Sequence, residues 1–218
     1  MHAESIPLVS GGTGLYLRAA LAELAFPPGA DAEVAQWAER LAESDLDAAN
    51  AALDRADPSA EGRVDRANPR RVARALAIAT AGERLPPTDG LWDRTTRLPT
   101  FIVKVTRPRE ILDRRIARRV DREISDGLVA EVEGALDTED VCREAMQIIG
   151  AKEVAAMRAG DLAMPDLPDR LAARTRRLVR KQLTWLKKMP VDAELDLGDA
   201  PSEDACEEVL RLFAGRER

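Results

Sequence analysis

The stretch Pro7-Leu8-Val9-Ser10-Gly11-Gly12-Thr13-Gly14-Leu15-Tyr16-Leu17 decides how the rest of the chain is read. Residues 6–9 are an apolar run with the look of a short buried strand. Residues 10–14 are a glycine loop, and residues 15–24 are amphipathic at helical spacing. Strand, glycine loop and helix in that order mark the carboxyl end of a strand in an α/β sheet. Such a loop can offer backbone N–H groups and the Thr13 hydroxyl to an anion at a helix N-terminus. Equally, it is a tight turn whose glycines answer a dihedral need. It is not a Walker loop, which requires Gly-x-x-x-x-Gly-Lys-Ser/Thr, and no lysine here holds that position.

Outward from this stretch, Pro27-Pro28-Gly29 closes the first helix. Asp31 is placed to cap a second one carrying Val34, Trp37, Ala38 and Leu41. Asp57-Pro58 begins a short element. A well-punctuated helix follows, with Asn68 as cap, Pro69 at its first position, Val72, Leu76 and Ala79 on one face, and Gly82 as terminator. Residues 85–99 read as loop and residues 100–105 as a strand. Pro108 opens a long charged helix to about residue 125, and Gly127 divides it from a helix over 128–136. Further helices are predicted over 150–157, 169–189 and 203–213, and Leu195 marks a third strand. The pattern is an α/β core over 1–29 and 96–218 with a helical insertion over 30–95. Two or three strands are too few for a parallel sheet that buries both faces, so part of the sheet is expected to lie outside this sequence.

The 218 residues are 45% apolar and 33% charged, as in a globular protein. Cys142 and Cys206 are too few for a disulfide scaffold, and His2 is the single histidine, which excludes His-based metal or triad chemistry. No run is long and apolar enough to span a membrane, and no secretory leader is visible, so a cytoplasmic location is expected. The net charge of −6 argues against a nucleic-acid partner, but its distribution argues otherwise. Residues 31–65 hold ten acids and three bases, whereas residues 170–188 hold eight bases and no acid. Of the 33 basic residues 28 are arginine, whose planar fork suits phosphate, although an arginine-rich genome would give the same bias.

On the last long helix Leu171, Leu178 and Trp185 recur at sevens as a core face. Arg174, Arg177, Lys181, Thr184 and Lys188 follow one another as a basic ridge, better suited to a phosphate backbone than to solvent. On the helix after Pro108, Arg115 and Arg119 share one face, and Arg118 and Arg122 another. They point to a cleft, or are surface charge paired with Asp113, Asp121 and Glu123. Arg70 and Arg74, with Arg71 beside them, oppose the dipole of their helix, a cost that phosphate contacts would offset. The segment from Met146 to Glu153 is weak by itself, and no carboxylate dyad stands out.

Taken together the segments resemble the tRNA dimethylallyltransferase family. The matching pieces are residues 7–17, Asn68-Pro69-Arg70-Arg71-Val72-Ala73-Arg74, Gly127 to Val132, Ala145 to Glu153, and Arg180-Lys181-Gln182-Leu183-Thr184-Trp185-Leu186. The resemblance implies an incomplete P-loop-kinase-like parallel sheet core with a helical insertion. It also implies transfer of a dimethylallyl group from dimethylallyl diphosphate to the N6 amine of adenosine 37, with Mg2+ and a monomeric complete enzyme. Gly11, Gly12, Thr13 and Arg119 would meet the diphosphate, with Thr13, Arg119 and Arg115 taking part in catalysis. Arg70, Arg71, Arg74, Gln147, Gly150 and Lys152 would meet the tRNA anticodon stem-loop. So would Arg177, Arg180, Lys181, Gln182, Thr184 and Trp185. Two departures are Ala35, where the family commonly carries arginine, and Ala151, where it carries tyrosine. A larger one is that the family's lysine-bearing phosphate loop and its proton-accepting Asp, with the Mg2+ ligands, are not in this sequence. The resemblance thus implies an N-terminally shortened and inactive chain, or a non-catalytic tRNA-binding protein of the same descent.

Overall fold

A computed structural model of the chain describes residues 6–24, 29–86, 92–138, 141–142 and 145–215. They divide into two compact units, one of Met1–Leu21 with Thr96–Arg218 and one of Ala22–Thr95.

The second unit is helical. Its helices are α2 (Ala32–Ser44), α3 (Leu46–Ala56) and α4 (Pro69–Thr80), with a 3-10 turn at Pro58–Ala60. Its core is built mainly from alanine: Ala38, Ala42, Ala49, Ala60, Ala73, Ala75 and Ala77 around Leu53, Val72 and Leu76. Small side chains let helix axes approach closely, so burial is gained by proximity rather than by bulky residues. Short polar side chains set the helix starts. Asp45 Oδ1 accepts from Ala48 N at 2.9 Å, Asp57 Oδ1 from Ser59 N at 3.0 Å, and Asn68 Oδ1 from Arg71 N at 3.3 Å. Asp31 stands at the start of α2 but makes no capping bond with its side chain, contrary to expectation. α3 has no counterpart among the elements read from sequence. Its buried stripe is only Ala49 and Leu53, too brief for a periodicity to declare itself.

In the first unit, α1 (Gly14–Leu21) precedes β1 (Val103–Thr106). The helices α5 (Arg109–Ser125), α6 (Leu128–Leu136), α7 (Ala151–Arg158) and α8 (Leu167–Leu186) then lead to β2 (Ala193–Asp196) and α9 (Asp204–Gly215). β1 and β2 pair in parallel, Val103 opposite Ala193 and Thr106 opposite Asp196, joined by the helical crossover that parallel pairing requires. Phe101 and Phe213 meet edge to face, their centroids 5.9 Å apart, which seats α9 beside the strands. The fold is thus mixed α/β with a small parallel sheet and flanking helices. Its helical core joins Ile116 and Val120 of α5 to Leu167, Leu171 and Ala172 of α8, with Leu128, Ile149 and Val179 packed around them.

The strand expected over residues 100–105 is observed at Val103–Thr106, and two further expectations need correction. Residues 6–9 form no strand, and Leu8 is 87% exposed. An apolar run becomes a strand only beside a partner, and β1 and β2 pair with each other, not with it. Leu178, expected on the core face of α8, is 43% exposed. A heptad step drifts only about 20° on a straight helix, so the phase is right. Burial is set instead by where α5 crosses, at Leu171, Ala172 and Val179.

Candidate functional site

The glycine loop lies directly against α8. A Cβ built on Gly12 would stand 2.6 Å from Gln182 Nε2, and one on Gly14 would stand 2.6 Å from Trp185 Cε3. Among the described residues the positive-φ glycines are Gly62, Gly82, Gly127, Gly150, Gly160 and Gly198, so Gly12 and Gly14 are absent from that set. Their role is therefore close approach and not an unusual dihedral, which corrects one of the two readings open from sequence. Thr13 caps α1 with its backbone, Leu17 N donating to its carbonyl at 3.1 Å, and its residue is exposed at the helix's N-terminal end. Two motifs separated by about 170 positions in the chain are thereby one local structure.

α8 presents two kinds of basic side chain. Arg177, Arg180 and Lys181 are exposed, as is Thr184, whose hydroxyl donates to Arg180 O at 2.8 Å. Lys188, expected on the same ridge, is exposed in the turn just past the end of α8. Arg174, expected on the same ridge, is engaged elsewhere. Its Nη1 meets Glu153 Oε2 at 2.7 Å and its Nη2 donates to Gln147 O at 2.6 Å. Arg176 turns to Asp113 of α5 at 3.1 Å. The ridge is therefore carried from Arg177 onward.

Glu153 has a part in this region that sequence reading did not single out. The same Oε2 that holds Arg174 accepts from Gly150 N at 3.1 Å, and Gly150 has φ +109°, which glycine alone adopts without strain. A Glu three positions after a helix-starting residue was the available signal, since a capping carboxylate uses that spacing. Gln147, Ile148 and Lys152 around this turn are exposed.

On α5, Arg115 Nη2 donates to Ser202 Oγ at 3.1 Å, and Arg119 Nε pairs with Glu123 at 2.7 Å with its side chain 74% exposed. Arg114 stands 3.6 Å from Asp199. Asp113 serves Arg176 and Arg109, not the arginines expected to pair with it. In the helical unit, Arg71 pairs with Asp65 at 3.4 Å, whereas Arg70 and Arg74, one turn apart on α4, are exposed without an ion-pair partner among the described residues. No group of three or more His, Cys, Asp or Glu is arranged to hold a metal ion among the described residues. No helix among them is long and apolar enough to cross a membrane.

Comparison with known proteins shows which family the chain resembles. The sequence profile described as IPP transferase matches residues 1–189. The tRNA dimethylallyltransferase of Geobacillus thermodenitrificans is 33% identical over 98% of this chain and 69% of its own length. That of Thermobifida fusca is 37% identical over 95% and 67%. The relative from Thermomicrobium roseum is also 37% identical, over 87% of this chain, which reaches 58% of that protein. The chain therefore spans about six- to seven-tenths of the length of the curated relatives it matches. Among solved structures, the full-length tRNA isopentenylpyrophosphate transferase of Bacillus halodurans superposes with a TM-score of 0.57. It is 27% identical, over 93% of this chain and 64% of that one. By sequence and by fold, this chain belongs to the IPP transferase family.

Proposed function

We propose that this chain serves the transfer of a dimethylallyl group from dimethylallyl diphosphate to the N6 amine of adenosine 37 in tRNA, supplying an RNA-binding face and part of the diphosphate site. The observation that carries this is the seating of Gln182 and Trp185 on Gly12 and Gly14. It puts a helix with an exposed basic ridge against a loop of the kind that receives anions. Arg177, Arg180, Lys181 and Thr184 then meet the RNA backbone, with Gln182 and Trp185 at the edge next to Thr13. Gln147 and Lys152 form a second contact, while Gly150, expected beside them, is buried with its N–H held by Glu153. Arg70, Arg71 and Arg74 of the helical unit form a third.

In the reaction the bond between the allylic carbon and the diphosphate oxygen breaks, and the oxygen leaves with the electron pair. The N6 lone pair forms the new N–C bond, and the amine passes its proton to a carboxylate base, the role of the family's Asp that has no counterpart in this sequence. Backbone N–H groups at Gly12 and Thr13 and the guanidinium groups of Arg115 and Arg119 would stabilise the negative charge developing on the leaving oxygen. To do so the arginines exchange Ser202 and Glu123 for phosphate oxygens. No three His, Cys, Asp or Glu side chains gather around one point among the described residues, and no step here is routed through the Mg2+ that the family resemblance implies. The sequence also has no Gly-x-x-x-x-Gly-Lys-Ser/Thr loop. The 218 residues by themselves are therefore expected to bind tRNA and to transfer little.

A second reading, a tRNA-binding protein without catalysis, is favoured by one observation: the ridge stands exposed while Arg115 and Arg119 already hold protein partners. Binding of labelled dimethylallyl diphosphate to this chain, expected on the first reading and not on the second, separates the two, and transfer is assayed beside it. Labelled dimethylallyl diphosphate is incubated with unmodified tRNA carrying adenosine 37, in parallel with this chain and with the Geobacillus thermodenitrificans relative. The expected result is transfer by the relative, RNA binding by both, and background label with this chain. Comparable transfer by this chain would show that Thr13, Arg115 and Arg119 suffice. Absence of RNA binding would remove both readings.

A further inference from the structure

The Glu153–Arg174 pair is more than an ion pair between two helices. Glu153 and Arg174 side chains are only 14% and 23% exposed, so both charges are largely withdrawn from water. Each also holds a backbone group of the turn 147–150: Glu153 takes the N–H of Gly150, and Arg174 donates to the carbonyl of Gln147. The turn is thus gripped at its two ends by one pair of side chains, one on α7 and one on α8. What the turn displays outward is Gln147, Ile148 and Lys152. What α8 displays one turn further on is Arg177.

We infer that Glu153 and Arg174 are positioning residues that fix the 147–152 turn relative to the α8 ridge, so that the two bind one RNA as a single preorganised surface. This rests on the RNA reading above. The physical reason is that a turn free to move must be ordered when RNA binds, and that cost is subtracted from affinity. A pair that orders it beforehand removes the cost without touching the RNA. Largely buried charges are expensive unless fully satisfied, and here three hydrogen bonds satisfy them at the place where the turn must be held.

The sign of one substitution separates this from simple electrostatics. Glu153→Gln removes a negative charge beside a basic surface, so if charge alone mattered, RNA would bind more tightly. Positioning requires the opposite, about tenfold weaker binding of an anticodon stem-loop RNA, the size of effect of one charge-assisted hydrogen bond. Arg174→Gln adds a second discriminator. A residue that positions leaves the slope of log K against log salt unchanged while affinity falls. A direct phosphate contact would lower that slope by about 0.7. Arg174→Lys, which keeps the charge but loses the fork, should bind nearly as poorly as Arg174→Gln. Amide exchange on the RNA-free chain guards against misfolding: the Gly150 amide should be protected in the wild type and exchange faster in Glu153→Gln, with α5 amides unchanged. Wild-type binding with Glu153→Gln equal or tighter would overturn the positioning role and leave the RNA reading standing. Failure of the wild-type chain to bind RNA would sink both.

Discussion

At the residue scale the decisive contacts belong to side chains that are not there. Gly14 begins α1, where alanine is ordinarily the better helix former, yet a methyl group on it would enter the indole of Trp185. Gly14→Ala should therefore destabilise the protein, by about 1–3 kcal/mol for overpacking against a ring that cannot fold away. Denaturant titration measures it. Gly12→Ala meets instead the amide end of Gln182, a flexible side chain. Its cost should be under about 1 kcal/mol, and Gln182→Ala in the same chain should recover it. If Gly12→Ala proved the costlier of the two, the packing described for this loop would be wrong. From sequence alone these glycines are compatible with a dihedral role or with an anion site. Close approach is a property of the partner surface, and Gln182 and Trp185 are far away in the chain, so one-dimensional spacing could not reveal it. Arg174 carries the same lesson. Its position on the basic ridge is correct by periodicity, but the carboxylate that takes it comes from a different helix.

At the element scale, α8 shows which features of a helix are local and which are not. Its approximate extent and its amphipathic phase follow from the sequence. Pro168, expected in the loop before it, lies in its first turn, and the helix ends at Leu186 instead of Met189. The capped start of α4 at Asn68 and Pro69 and the break at Gly127 between α5 and α6 also follow from the sequence. The depth of burial along a phase-correct stripe does not. Leu171 is buried where α5 crosses and Leu178 is not. Leu171→Ala should accordingly cost about 2–5 kcal/mol, whereas Leu178→Ser should stay within about 0.5 kcal/mol of the parent. Equal losses at the two positions would contradict the crossing described. On α4, Asn68→Ala removes the cap on Arg71 N and should cost about 1 kcal/mol in thermal or chemical unfolding. The strand expected over residues 6–9 was illegible for a related reason. Apolarity and loop chemistry are local, but a strand is defined by a neighbour, and neither β1 nor β2 supplies one.

At the scale of the whole molecule, net charge is a poor guide and its arrangement a good one. A chain with formal charge −6 places acids on the helical insertion and at its C-terminal end, and leaves α8 with exposed arginine and lysine. Order of motifs along the chain was enough to point to the family, because five short segments in register are far more specific than any one of them. Family membership then follows from the match over residues 1–189, while the work done by these 218 residues follows from which side chains stand free for a ligand. The central claim is that α8 is an RNA-binding surface. The most direct measurement is the affinity of the intact chain for an anticodon stem-loop RNA with adenosine 37, titrated across salt, with and without the double substitution Arg177→Ala and Lys181→Ala. The account predicts binding that weakens with salt, and a log–log slope smaller in magnitude by about 1.4 in the double variant, about 0.7 for each lost phosphate contact on single-stranded RNA. Binding with an unchanged slope, or no binding by the parent chain, would contradict it.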